Sequence, residues 1–203
     1  MNAEGGVQRP AVTGIVLAGG RSSRFGSDKL VAEIDGRSLL DRAISAVALV
    51  ATDVLVVCAP GDDRPLPAAD VPIRRVADPE AFGGPLIGLR AGLELAGEPI
   101  VVVVGGDMPS IQAPVLAMLV RTLQASEPTG AAVLAARGRL VPLPAALRTG
   151  AASDQVGRLV DDGERRLRSL FDRLPTRMLG EPEWRPLDPA GDTLRDVDRP
   201  EDL

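Results

Sequence analysis

Short β-branched runs alternate along the chain with longer stretches of helical periodicity. The runs fall at residues 13–17, 54–58, 73–76, 100–104 and 132–134. Val101-Val102-Val103-Val104 shows no polar alternation, which predicts a strand covered on both faces and so a parallel sheet. Between the runs, residues 39–50 put Leu40, Ala43, Ile44 and Val47 on one face, and Ser38 with Asp41 makes an aspartate form of a capping box. Residues 85–96 align Leu86, Leu89 and Leu93 behind Pro85, a residue the first helical turn accepts. Residues 113–125 carry the stripe Leu116, Leu119, Val120, Leu123, with Ser110 as the expected cap. Residues 164–174 set Leu167, Leu170, Phe171 and Leu174 at i, i+3, i+4, i+7 and predict a further helix. Residues 181–191, rich in proline and acid, read as a loop.

Repeated strand–helix–strand units predict an α/β fold with a doubly wound, mostly parallel sheet in a single domain. Such sheets bind ligands in the crevice at the carboxyl ends of their strands. That draws attention to the loops after Leu17, Val76 and Val104. Residues 1–12 read as a flexible N-terminal extension ahead of a domain spanning residues 13–203. The extension lacks the apolar stretch of a signal peptide, and no run reaches the roughly 18 apolar residues that span a bilayer. The expectation is a cytoplasmic protein without a membrane partner.

Composition narrows the chemistry. Among 203 residues there is no His, no Tyr, one Cys, three Phe and one Trp. Without His, no Ser/His/Asp or Cys/His triad can form, and one Cys supports neither a structural zinc site nor an intrachain disulfide. So few aromatics cannot build a base-stacking platform, and a formal charge of -5 argues against a nucleic-acid partner. Any metal should be a hard ion on carboxylate oxygens, such as Mg²⁺.

Three loops carry candidate chemistry. The first, Ala18-Gly19-Gly20-Arg21-Ser22-Ser23-Arg24-Phe25-Gly26-Ser27-Asp28-Lys29, joins glycines that let backbone N–H groups approach an anion to Arg24 and Lys29, which would supply the positive charge a triphosphate needs. It lacks the Gly-Lys-Ser/Thr of a P-loop and the G-x-G-x-x-G of a dinucleotide fold, so a glycine turn with a solvated basic face stays open. The second, 78–89, has Asp78 followed by Gly84-Pro85-Leu86, where the helix start could offer N–H donors; an ordinary strand-to-helix loop is the alternative. The third places Asp107 after the most apolar strand, where a carboxylate is costly unless paired or metal-bound; capping the next helix is the alternative. Cys58, in an apolar strand, reads as inert core.

L-A-G-G-x-x-x-R-x-G-x-D-K, from Leu17 to Lys29, resembles the nucleotide-binding signature of the nucleoside-triphosphate transferase superfamily, and most of all its molybdenum cofactor guanylyltransferases of the MobA type. The stretch 31–40 resembles that family's continuation, with Ser38 where proline is usual, and within the first signature Phe25 stands where methionine is usual. The resemblance extends to D-x(n)-G-P-L-x-G, to Gly106-Asp107-Met108-Pro109, to the strand Arg139-Leu140-Val141-Pro142-Leu143-Pro144-Ala145, to the segment from Gly163, and to the closing Asp196-Val197-Asp198-Arg199-Pro200-Glu201-Asp202-Leu203. It implies a Rossmann-like nucleotidyltransferase fold. It also implies a triphosphate site at Leu17, Ala18, Gly19, Gly20, Arg24 and Lys29, and a base and ribose pocket at Asp78, Gly84, Pro85 and Leu86. Mg²⁺ would sit on Asp107 and Asp198, and Lys29, Arg24 and Asp107 would be catalytic. Arg165 and Arg166 read either as acceptor-phosphate contacts or as a solvated helix face.

What the resemblance implies is GMP transfer from GTP to the phosphate of molybdopterin, with release of pyrophosphate. Phosphoryl chemistry needs positioning and charge neutralisation, which a chain without His can supply. The alternatives are a CTP-dependent molybdopterin cytidylyltransferase, suggested by Asp107-Met108-Pro109, a transferase for another phosphorylated acceptor, and a nucleotide-binding protein without turnover. A homo-oligomer is left open.

Overall fold

The structure is a computed structural model that describes residues 11–19, 25, 28–80 and 83–203. Its strands are β1 (Val12–Leu17), β2 (Glu33–Ile34), β3 (Arg37–Ser38), β4 (Asp53–Cys58), β5 (Ile73–Ala77), β6 (Ile100–Gly105), β7 (Ala131–Ala136), β8 (Arg139–Arg148) and β9 (Thr176–Leu179). Its helices are α1 (Leu39–Ala48), α2 (Pro85–Leu95), α3 (Ala113–Ala125), α4 (Thr149–Asp161), α5 (Arg168–Phe171) and α6 (Glu181–Trp184). Seven strands form one sheet in the order β5-β4-β1-β6-β8-β7-β9. The pairs β5/β4, β4/β1, β1/β6 and β7/β9 are parallel, and β8 runs antiparallel to both neighbours. This is the expected doubly wound, mostly parallel α/β sheet.

The unbroken apolar runs follow from burial on both faces. Val102 and Val104 join a core with Leu40, Ile44 and Val47 of α1 and Leu116, Leu119 and Leu123 of α3. Val101 and Val103 join the opposite core, with Leu86 and Leu89 of α2 and Val156 and Leu159 of α4. All four valines are fully buried, each worth about 1.5–3 kcal/mol relative to an exposed position. Before α1, Asp35 and Gly36 both take positive φ, as the two-residue turn between β2 and β3 demands, and Ser38 Oγ then accepts the Asp41 N–H at 3.1 Å, as the capping-box reading expects.

Several expectations are corrected. The helix predicted over 164–174 is only the four-residue α5, although Leu167, Leu170, Phe171 and Leu174 are all buried. Gly163 at φ 84 and the Glu164 carboxylate, which accepts the Arg165 and Arg166 N–H groups, hold the preceding backbone in a turn. The predicted loop over 181–191 contains α6. The N-cap of α3 is Gln112, not Ser110, and its N–H donates to Thr193 Oγ1 at 3.0 Å.

That bond ties the closing segment to the α3 start, and Asp188 organises it. The buried Asp188 carboxylate accepts the N–H groups of Gly191, Asp192 and Thr193 at 3.0, 3.1 and 2.8 Å. Burial alone would raise its pKa, but the Thr193, Asp192 and Gly191 hydrogen bonds outweigh it and hold the carboxyl below the usual range. The stabilisation is therefore complete above the ordinary carboxylate pKa and is lost as pH falls through the lowered folded value. Asp188→Asn is expected to cost about 1–3 kcal/mol at neutral pH. Melting curves should show the gap to the native protein narrowing as pH falls below the ordinary aspartate value of 3.8.

Candidate active site

The carboxyl ends of β1, β5 and β6 open onto one cavity of about 400 Å³. Each loop there is pinned to the sheet. Ala18 N–H donates to Val57 O at 2.7 Å, Asp78 N–H to Cys58 O at 2.7 Å, and Gly106 N–H to Leu17 O at 2.9 Å. The cavity gathers Leu17, Ala18, Gly19 and Lys29 from the first loop, Asp78 from the second, Gly84 and Pro85 at the α2 start, and Asp107 from the third. Gly20 and Arg24 lie outside the described residues.

Leu86 is not brought there. Helical periodicity turns its side chain fully into the core under α2, and its N–H donates to Arg165 O at 3.4 Å. Pro85 has no N–H, so the donors expected at this helix start are reduced. Gly84 takes φ +105, and a Cβ there would sit 3.0 Å from Arg165 Cβ and 3.1 Å from its carbonyl oxygen. Arg165 donates to the Val160 and Glu164 carbonyls and also pairs with Glu80 of the second loop at 3.8 Å, while Arg166 pairs with Glu164 at 3.0 Å.

Lys29 begins a 3₁₀ turn, Lys29–Val31, capped by Asp28 Oδ1 on the Leu30 N–H at 3.1 Å. The turn aims the Lys29 side chain across the cavity. Its Nζ donates to Asp107 Oδ2 at 2.7 Å and to Asp198 Oδ1 at 3.0 Å. The ammonium side chain is 13% exposed. Burial pulls its pKa down, but hydrogen bonds and charge from Asp107 and then Asp198 outweigh it and raise the value, so Lys29 is a firm cation at neutral pH. Asp198 reaches it because the closing segment is held twice. Val197 N–H donates to Asp107 O at 3.0 Å, and Asp202 Oδ2 accepts the Asp198 and Arg199 N–H groups at 3.0 and 2.8 Å.

The second carboxylate of the cavity is Asp78, buried at 4% exposure. Oδ1 accepts the Glu80 N–H at 3.0 Å, whereas Oδ2 lies 3.5 and 3.6 Å from the positions where Cβ atoms on Gly19 and Gly88 would stand. Two glycines thus leave this oxygen room to meet a ligand. Burial pushes the carboxyl pKa up, the Glu80 N–H opposes, and the Glu80 charge adds to the rise. Leu30, Val57, Gly88, Gly105 and Leu143 complete the wall; Gly88 and Leu143 stand within the motif stretches, but none of the five carried a site assignment from the sequence. Their signal was weak, since each also fits an ordinary core or helix position.

Asp107 and Asp198 converge on a point already held by one cation. Their oxygens are the hard donors Mg²⁺ prefers, and that ion commonly takes one or two carboxylates together with substrate phosphates. Among the described residues no group of three or more His, Cys, Asp or Glu could hold a metal unaided. The pair fits an ion whose remaining ligands come from a nucleotide and water. No helix among the described residues is long and apolar enough to cross a membrane.

The chain is similar to several known proteins. A probable molybdenum cofactor guanylyltransferase of Chloroflexus aggregans is 33% identical over 195 residues, covering 95% of this chain and 91% of that one. The molybdenum cofactor guanylyltransferase of Burkholderia ambifaria is 34% identical over 174 residues, covering 82% and 84%. The fold is shared with molybdopterin-guanine dinucleotide biosynthesis protein A from Archaeoglobus fulgidus at a TM-score of 0.75 and 21% identity, over 94% of each chain. The MobA-like NTP transferase domain matches residues 14–178. The chain therefore belongs to the MobA-like NTP transferase family and is a nucleotidyltransferase.

Proposed function

We propose that the chain transfers GMP from GTP to the phosphate of molybdopterin and releases pyrophosphate. The observation that carries this reading is the convergence of Lys29, Asp107 and Asp198 beside a cavity that also holds the buried Asp78. The names of the relatives supply the acceptor and the base.

The acceptor's phosphate oxygen attacks the α-phosphorus of the triphosphate in line, and pyrophosphate departs. The residues position and neutralise. Gly19 lets the first loop approach phosphate closely, with Gly20 and Arg24 assigned the same surface. Lys29 turns from its aspartates towards the triphosphate oxygens, where its fixed positive charge stabilises the charge that develops. Asp107 and Asp198 would hold Mg²⁺, which supplies charge neutralisation on the phosphates when bound. The reaction would need Mg²⁺ and the two substrates, in a cytoplasmic setting.

Asp78 favours guanine over cytosine. A carboxylate oxygen accepts hydrogen bonds, and guanine offers two adjacent donors, N1–H and N2–H, on one edge; cytosine offers a single amino donor beside acceptors. Calorimetry with Mg²⁺ should therefore show GTP bound tighter than CTP, and Asp78→Asn should cut that preference by about 5- to 100-fold, the worth of one bidentate contact. Because the folded pKa of Asp78 is raised, its stabilising share is full at low pH and lost as pH rises through that value. The same variant is therefore expected to melt higher at neutral pH while binding GTP more weakly. Equal affinity for GTP and CTP in the native protein would sink the guanine assignment. Pyrophosphate release that fails to depend on molybdopterin would sink the acceptor.

A further inference from the structure

We propose that Arg64 is a positioning residue for the nucleotide, stapling together the two stems of the first loop. Arg64 lies between β4 and β5, in a segment that carries none of the sequence motifs. Its side chain is only 17% exposed. Nη1 donates to both oxygens of Asp28, at 3.2 and 3.1 Å. Nη2 donates to the Ala18 carbonyl at 3.2 Å and pairs with Asp62, whose carboxylate also accepts from Nε at 3.0 and 2.9 Å. The Arg75 guanidinium in turn holds the Arg64 carbonyl oxygen.

The two distant partners define the role. Ala18 lines the cavity at the end of β1, and Asp28 precedes Lys29 and caps its turn. Between them in sequence lies the glycine–arginine stretch assigned to the triphosphate. One planar guanidinium therefore fixes both ends of that stretch against each other. Asp28 Oδ1 accepts from Arg64 and from the Leu30 N–H together, so the guanidinium also sets the orientation of the cap from which Lys29 departs. An arginine serving only to anchor its own segment needs no more than the Asp62 contact. The reach to Ala18 and Asp28 is what a positioning role requires. Lysine cannot replace it, because an ammonium offers a point charge and not a fork that spans three acceptors.

The inference rests on the reading of the cavity as a nucleoside-triphosphate site. Its test compares the native chain with Arg64→Met, Arg64→Lys, Asp28→Asn and the Arg64→Met/Asp28→Asn double variant. Each is followed by GTP calorimetry, by KM for GTP and for molybdopterin, and by thermal melting. Arg64→Met is expected to weaken GTP about tenfold in both binding and KM, with KM for molybdopterin held within about twofold. Arg64→Lys should recover only part of the loss. Asp28→Asn should weaken GTP in the same direction, and the double variant should be little worse than the poorer single one, as coupled neighbours behave. If Arg64→Met does not fold, the half-exposed Asp28 reports on the same staple from the other side. GTP affinity unchanged in Arg64→Met or Asp28→Asn, an equal rise in KM for both substrates, or strict additivity in the double variant would overturn the positioning role. A native protein that binds no nucleoside triphosphate would instead bring down the nucleotidyl-transfer reading itself, and this inference with it.

Discussion

Asp107→Asn is expected to lower kcat by about 10³-fold while leaving the fold in place. Removing one preorganised charge-stabilising group from a transition state costs about 10²–10³ by itself, and Asp107 serves both the proposed ion and Lys29. The fold should survive, because the link from Val197 N–H uses the Asp107 backbone oxygen, which asparagine keeps. The side chain is also 28% exposed, so asparagine strands no deeply buried group. Pyrophosphate release at saturating substrates measures the loss, and circular dichroism melting checks the fold. A variant that keeps more than about a tenth of native turnover with its Mg²⁺ dependence unchanged would remove Asp107 from the assigned role.

Lys29→Met carries the second large effect, and it reads out in two ways. Turnover should fall about 10²–10³-fold, since the cation proposed to meet the triphosphate is gone. Stability should fall as well, because Asp107 and Asp198 then face one another without the ammonium that lay 2.7 and 3.0 Å from them. The raised pKa of Lys29 fixes the sign: its contribution is complete below the ordinary lysine value of 10.5 and fades only as pH climbs through the raised folded value. The melting deficit of the variant should thus persist across neutral pH. Mg²⁺ should restore part of it by taking the vacated place between the carboxylates, a readout that needs no activity. A variant that melts like the native protein, with no response to Mg²⁺, would contradict the shared cation site.

The sheet was legible where burial dictates sequence. β1, β4, β6 and β7 announce themselves because a strand covered on both faces has no room for polar alternation, whereas the edge strand β5 buries only Val76 and showed through its β-branched Ile73 and Val76. α4 left no such mark. Only Ala152, Val156 and Leu159 of it are buried, and Gly150 and Gly157 dilute its helical propensity. β9 stayed hidden because Arg177 and Met178 are exposed at the sheet edge, and β8 was visible only through family likeness. At the site, local spacing brought out the first loop and the acids of the second and third, since loops at strand ends concentrate unusual residues. It could not show that Lys29 meets Asp198, which lies 169 positions further on. The periodic pattern puts Leu86 on the buried face with Leu89 and Leu93, and only the family likeness draws it into the base pocket, where Gly88 faces the cavity instead. Arg64 was missed because its partners converge only once the sheet has formed.

Trp184 gives the molecule an unusual optical character. It is the one tryptophan in a chain without tyrosine. Its ring is fully buried, its Nε1–H donates to Ala135 O at 3.0 Å, and the Arg185 guanidinium lies 5.0 Å from the ring centre. It does not line the cavity. Intrinsic fluorescence therefore comes from a single dry indole at the β7 side of the sheet, and its red shift marks the opening of that side, not the arrival of a ligand. Ultraviolet absorbance is correspondingly faint, so a guanine base carried by the protein would dominate the spectrum and betray itself before any assay was run.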